Sequence, residues 1–113
     1  MKEVKAFIRR NMVNGVLKAL RDHDFRSVTV TEVEGTGRYT RPDNDEKTSL
    51  KFQLTHSKMS KLELVCKKED VTNIVQIISE HGGTGEKGDG IVYVSEVEQI
   101  FKVSTGEESQ HEL

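Results

Sequence analysis

Five glycines fall within residues 82–90, in the run Gly82-Gly83-Thr84-Gly85-Glu86-Lys87-Gly88-Asp89-Gly90. Glycine at that density lets successive backbone N–H groups converge into an anion-binding concavity, and lets a ligand approach the main chain closely. The competing reading is a plain flexible turn. Gly83-x-Gly85-x-x-Gly88 has the form of a dinucleotide fingerprint, which needs a strand before it and a helix after it so that the helix dipole meets the pyrophosphate. Here a helix pattern precedes and a strand pattern follows, so the match is formal. The phosphate-loop pattern also fails, because Lys87 is followed by Gly88 rather than Ser or Thr. Gly35 and Gly37, followed by Arg38, make a second glycine-bearing segment. Cys66 is the single cysteine, reads as a small buried hydrophobe, and points to a reducing compartment. His23, His56, His81 and His111 stand at no ligand spacing and read as solvated side chains. No nucleophile–base pair can be argued, so the chain reads as non-enzymatic.

The elements that must carry these segments follow from periodicity. Val4, Ala6 and Ile8 alternate with Lys5, Phe7 and Arg9, the period of a strand. Asn11 or Asn14 is placed to cap a helix whose stripe is Val13, Val16, Leu17 and Leu20, with Gly15 weakening it slightly. Asp24 can end it, since Asp tolerates left-handed geometry. Phe25 to Gly37, rich in Val and Thr, predicts a second strand. About twenty residues without helical pattern follow, and loops of that length are usually functional. Within them Leu50, Phe52 and Leu54 alternate with polar residues like a strand arm. Lys58 to Lys67 predicts a third strand, with Leu62, Leu64 and Cys66 on one face. Asp70 is placed to cap a second helix, Val71, Ile74, Val75 and Ile78 to bury its stripe, and Gly82 to stop it. Ile91 to Val97 predicts a fourth strand, Val97 to Val103 admits a short turn and strand, and Glu107 to Leu113 reads as a loose polar tail. The order βαβ, long loop, βαβ is the α+β ferredoxin-like arrangement in one domain over 1–113, an antiparallel sheet with two helices on one face.

The 113 residues carry a net charge of −2, which gives no electrostatic case for nucleic acid or an anionic membrane. RNA-recognition modules of this topology stack bases on aromatics of the central strands, whereas Lys58-Met59-Ser60-Lys61-Leu62-Glu63-Leu64 has none. Metal chaperones of this topology need paired cysteines. The charged start Met1-Lys2-Glu3-Val4-Lys5 is unlike a signal peptide, and no apolar run approaches the ~20 residues that span a bilayer. A soluble, cytoplasmic protein without direct membrane insertion is the expectation. Val, Ile, Leu and Phe exceed the roughly 20% share below which charged chains stay disordered, but the core they allow is thin, and assembly would help it.

Thr84-Gly85-Glu86-Lys87-Gly88-Asp89-Gly90 followed by Ile91-Val92-Tyr93-Val94 resembles the C-terminal signature of the P-II nitrogen-regulatory signal-transduction family. Val97-Glu98-Gln99 and Thr105-Gly106-Glu107 continue it, while Thr29-Val30-Thr31-Glu32-Val33 with Gly35-x-Gly37-Arg38 resembles the family's second strand and its entry to the large T-loop. The likeness runs from Met1 to about Glu108. It implies a homotrimer of ferredoxin-like subunits that binds ATP or ADP in clefts between neighbours. Thr29, Gly35, Gly37, Arg38, Tyr39, Val65, Gly88, Asp89, Gly90 and Lys102 would line that cleft. The T-loop, about 38–57, would meet a regulated target such as a membrane transporter or an enzyme, through Pro42, Asp43, Asp45, Glu46, Lys47, Ser49, Leu50 and Phe52. The chain departs from the family pattern in several places. Ile91 replaces the lysine that usually follows Gly-Asp-Gly, and Ser104 replaces a phosphate-binding arginine, with Lys102 at the other arginine position. Losing cationic donors weakens a polyphosphate site. Tyr39 stands where many members have the glutamine that helps bind magnesium, ATP and 2-oxoglutarate, so magnesium binding is not assigned. The loop tip, residues 42–49, has no tyrosine to be uridylylated.

Three functions follow from this reading. The first is a ligand-gated regulator of a partner protein. The second is a constitutive trimeric adaptor, or a transporter regulator whose cleft has lost ATP and 2-oxoglutarate sensing. The third is a weak ATP hydrolase.

Overall fold

A computed structural model of the chain describes residues 1–36 and 57–109. Strand β1, Lys2–Arg9, buries Val4, Ala6 and Ile8 as the alternation requires. A 3-10 turn over Arg10–Met12 leads into helix α1, Val13–Asp22. Neither asparagine caps this helix: Met12 holds the cap position without a side-chain bond, and the Val13 N–H donates to the Arg10 carbonyl. The tighter turn thus engages a backbone donor at the helix entry by itself. At the other end Asp24 N–H donates to Arg21 O and Phe25 N–H to Leu20 O, with Asp24 at φ 68°. This is a left-handed helix stop with Asp in the place usually taken by glycine. It uses Phe25, which packs against the core, so strand β2 runs Thr29–Gly35 and not from Phe25. Gly37, the expected end of that strand, lies outside the described residues.

Strand β3 is Ser57–Cys66, and Leu62, Leu64 and Cys66 are buried together as expected. A second 3-10 turn, Lys68–Asp70, precedes helix α2, Val71–Gly82. Asp70 occupies the cap position but makes no side-chain bond there. The buried stripe is Ile74, Ile77, Ile78 and Gly82, with Val75 half-buried. Gly82 is the last helical residue, and Gly83 after it is extended at φ −89° and ψ 145°. Gly82 serves packing instead of a left-handed stop: a Cβ there would lie 3.3 Å from Val16 Cγ2 and 3.5 Å from Ile8 Cγ2. Strand β4 is Ile91–Glu96. Beyond it Phe101 bridges Glu108, Lys102 N–H donates to Glu107 O, and Ser109 N–H donates to Ile100 O. Residues 107–109, placed by composition in the loose tail, are therefore paired back against residues 100–102.

The sheet order is β2-β3-β1-β4 with every pair antiparallel. Twelve residues make the main core: Val4, Ala6, Ile8, Leu62, Leu64 and Cys66 from the sheet, Val16, Ala19 and Leu20 from α1, and Ile74, Ile77 and Ile78 from α2. Both helices thus cover one face, giving the ferredoxin-like α+β fold. The opposite face carries Glu3, Lys5, Phe7 and Arg9 of β1, with Met59, Lys61 and Glu63 beside them by register.

Candidate functional site

The register assigns Gly35 and the start of β4, which follows the 82–90 loop, to one end of the sheet. Gly35 pairs with Ser57, Met59 with Arg9, and Phe7 with Ile91, so the ends of β2 and β1 and the starts of β3 and β4 share one end of the sheet. On the open face here lies a cavity of about 250 Å³, lined by Phe7, Val33, Gly35, Met59, Ile91 and Tyr93 among others. Its wall is mostly apolar, and the Phe7 and Tyr93 rings stack at 6.1 Å between centroids.

The glycine loop between α2 and β4 is folded around one carboxylate. Asp89 Oδ2 accepts from Thr84 N–H at 2.8 Å and Gly85 N–H at 2.9 Å. Asp89 Oδ1 accepts from the Thr84 hydroxyl and from Arg9 Nε at 3.0 Å. A carboxylate has about four lone-pair sites, and these four donors occupy them. The Thr84 hydroxyl first, then Arg9 and the two backbone N–H groups, lowers the Asp89 pKa to about 2. The Asp89 side chain therefore organises the loop. Gly90 shows how close that main chain runs to the sheet. Its φ is +104°, and a Cβ would lie 1.7 Å from the Phe7 carbonyl oxygen, so no side chain fits there. Gly88, at φ 96°, is buried.

Thr29, Val65 and Lys102 are not at this end. Thr29 pairs with Glu63 and Val65 with Glu3, at the far end of β2 and β3. Lys102 lies beyond β4, five residues after Val97, whose N–H donates to Met1 O at the far end. Thr29 and Gly35 are six residues apart on an extended strand, roughly 20 Å. Within one chain the expected site residues thus form two separate groups. A second cavity, of about 410 Å³, lies at the far end and includes Val65, Cys66, His23, Arg26 and Lys67 in its lining. Cys66 is buried and its pKa is raised by that burial, as a core thiol's should be. Arg38 and Tyr39, like Gly37 and the partner-contact residues Pro42, Asp43, Asp45, Glu46, Lys47, Ser49, Leu50 and Phe52, lie outside the described residues.

Sequence reasoning missed Arg9, Thr84 and Phe7. Arg9 is the last residue of an alternating strand on its non-core side, but its place beside the glycine loop follows only from the pairing of β1 with β4. Among the described residues no group of three or more His, Cys, Asp or Glu could hold a metal ion, and no helix is long and apolar enough to cross a membrane.

The family model described as nitrogen regulatory protein P-II matches residues 1–107. The nitrogen regulatory protein P-II of Pasteurella multocida is 31% identical over 110 residues, covering 97% of each chain. The nitrogen regulatory protein P-II 2 of Methanothermobacter thermautotrophicus is 33% identical over 107 residues, covering 95% of this chain and 92% of its own. The corresponding protein of Porphyra purpurea is 32% identical over 107 residues. With the family model matching nearly the whole chain and near-complete coverage on both sides, this chain belongs to the P-II family of nitrogen regulatory proteins.

Proposed function

We propose that the protein is a trimeric signalling regulator that binds an adenine nucleotide between neighbouring subunits and controls a partner protein through residues 38–57. The observation that carries this reading is the separation of the expected ligand residues into two groups roughly 20 Å apart in one chain. A cleft between copies would bring the Gly35 and Gly88–Gly90 group of one subunit against the Thr29, Val65 and Lys102 group of the next. Backbone N–H groups of the glycine loop, with Arg38 and a neighbour's Lys102, would hold the phosphates. Ligand would change partner binding to the extent that it favours one conformation of 38–57 by differential affinity.

Ile91 and Ser104 stand where the family usually has cations, which supports weaker nucleotide binding and a smaller preference for ATP over ADP. The same two residues favour the second reading, a constitutive trimeric adaptor. Calorimetry with ATP and ADP separates the two: measurable heats support the regulator, and their absence at millimolar ligand supports the adaptor. Sedimentation tests the trimer, and a mass of one subunit across micromolar concentrations would overturn both. Deleting residues 42–49 should leave mass and nucleotide heats unchanged while ending partner control; a deletion variant that still regulates its partner refutes the role of that segment.

A further inference from the structure

We propose that Arg9 is the positioning residue of the glycine loop, its guanidinium holding the Lys87 carbonyl and the Asp89 carboxylate so that the backbone between them is set for a phosphate-bearing ligand. The inference rests on the nucleotide-binding reading above. Arg9 Nε donates to Asp89 Oδ1 at 3.0 Å, and Arg9 Nη2 donates to Lys87 O at 2.9 Å. These two partners flank Gly88, so one cation pins the chain on both sides of a buried glycine with positive φ. Asp89 passes the restraint on, because its other bonds reach Thr84 and Gly85 across the loop. Arg9 itself is fixed, since it ends β1 and pairs with Met59 of β3. A polar chain of contacts thus runs from the sheet through Arg9 to Thr84, Gly85, Lys87 and Asp89 of the loop. The interaction is partly shielded, with the Arg9 and Asp89 side chains 21% and 25% exposed.

The guanidinium fork is required because two acceptors in different directions must be met at once. A lysine ammonium is a compact point charge on a flexible stem and lacks the planar, divergent donors. Arg10 provides a control within the molecule. It is adjacent and carries the same charge, yet its Nη2 lies 3.6 Å from Glu32 and its Nε donates to Met59 O at 3.4 Å, away from the loop.

The test compares Arg9→Gln, Arg9→Lys and Arg10→Gln by amide hydrogen exchange of the ligand-free protein and by calorimetry with ATP. In Arg9→Gln the Thr84 and Gly85 amides should exchange about tenfold faster or more. ATP affinity should fall by about fivefold or more. Arg9→Lys should recover less than half of either effect, and Arg10→Gln should stay within about twofold of the parent on both. Unchanged exchange in Arg9→Gln overturns the proposal, as does faster exchange with unchanged ATP affinity. If the parent protein itself gives no ATP heat, the nucleotide reading fails, and the exchange measurement alone decides whether Arg9 sets the loop.

Discussion

Replacing Gly90 with alanine should be among the most damaging single changes in this protein, and the structure lets its size be worked out. The new Cβ would sit 1.7 Å from the Phe7 carbonyl oxygen and 2.8 Å from the Phe7 carbonyl carbon. Carbon and carbonyl oxygen ordinarily approach to about 3.3 Å, so the loop and strand β1 would have to part by roughly 1.5 Å. Phe7 is in β1, which is paired on both sides, so that movement disturbs the sheet. Left-handed backbone costs an alanine about 1–2 kcal/mol, and forcing atoms into a packed region adds about 1–3 kcal/mol, for a total of roughly 2–5 kcal/mol. Gly85→Ala separates the two contributions. Gly85 has φ +82° but nothing within 4 Å of the new Cβ, so only the conformational cost of about 1–2 kcal/mol applies. Gly15→Ala, in α1 with open space around it, should stabilise by about 0.5–1 kcal/mol. Urea unfolding followed by far-ultraviolet circular dichroism, at one fixed protein concentration, measures all three. If Gly90→Ala loses no more stability than Gly85→Ala, the close approach to Phe7 is not a constraint and the reasoning is wrong.

Asp89 should contribute to acid sensitivity. Its folded pKa of about 2 lies below the ordinary value near 3.9, so its stabilisation is present above about pH 4 and is lost as pH falls toward 2. The contribution is of the order of 1 kcal/mol once solvent screening is allowed for. The stability gap between the parent and Asp89→Asn should therefore narrow between about pH 5 and pH 2, and a gap that stays constant over that range refutes it. Restoring cations by Ile91→Lys and Ser104→Arg should each raise ATP affinity by up to about tenfold in calorimetry, since charge-assisted hydrogen bonds are the strong ones. If neither change alters binding, the phosphates do not lie at these positions.

The strands and the core were legible because their signal is periodic. Val4, Ala6 and Ile8 alternate without interruption and are buried without exception. Asp24 was legible for a different reason, that few side chains tolerate its φ of 68°. The helix entries were not legible. Asparagine and aspartate stood where caps belong, but each helix is entered through a 3-10 turn whose backbone bond carries no sequence signature. Gly82 was misjudged because a glycine near a helix end fits two demands, left-handed geometry and close packing, and the sequence does not say which. The candidate site was half legible. Glycine content located the loop, but it did not tell that Asp89 takes four donors from the chain itself. That arrangement depends on Arg9, which is separated from Asp89 by most of the sequence.

Strand β4 has a consequence for how the protein is handled. Among the described residues it pairs with β1 alone, so one edge is open, and Tyr93 and Val94 are exposed. Gly90-Ile91-Val92-Tyr93-Val94-Ser95 is an uncharged, β-prone hexamer bounded by Asp89 and Glu96. Segments of that kind stack into fibrils when released, and flanking charges are what hold them apart. In the folded chain both acids are engaged, Asp89 with Arg9 and Glu96 with Lys2. In an unfolded chain they are freed to repel neighbouring copies, unless the solution is acid enough to protonate them. Low-pH elution or refolding would thus remove the native contacts and the electrostatic guard together. Fibrils formed under those conditions should yield a protease-resistant core containing residues 90–95, and a core elsewhere in the chain by mass spectrometry would show that this edge is not the seed.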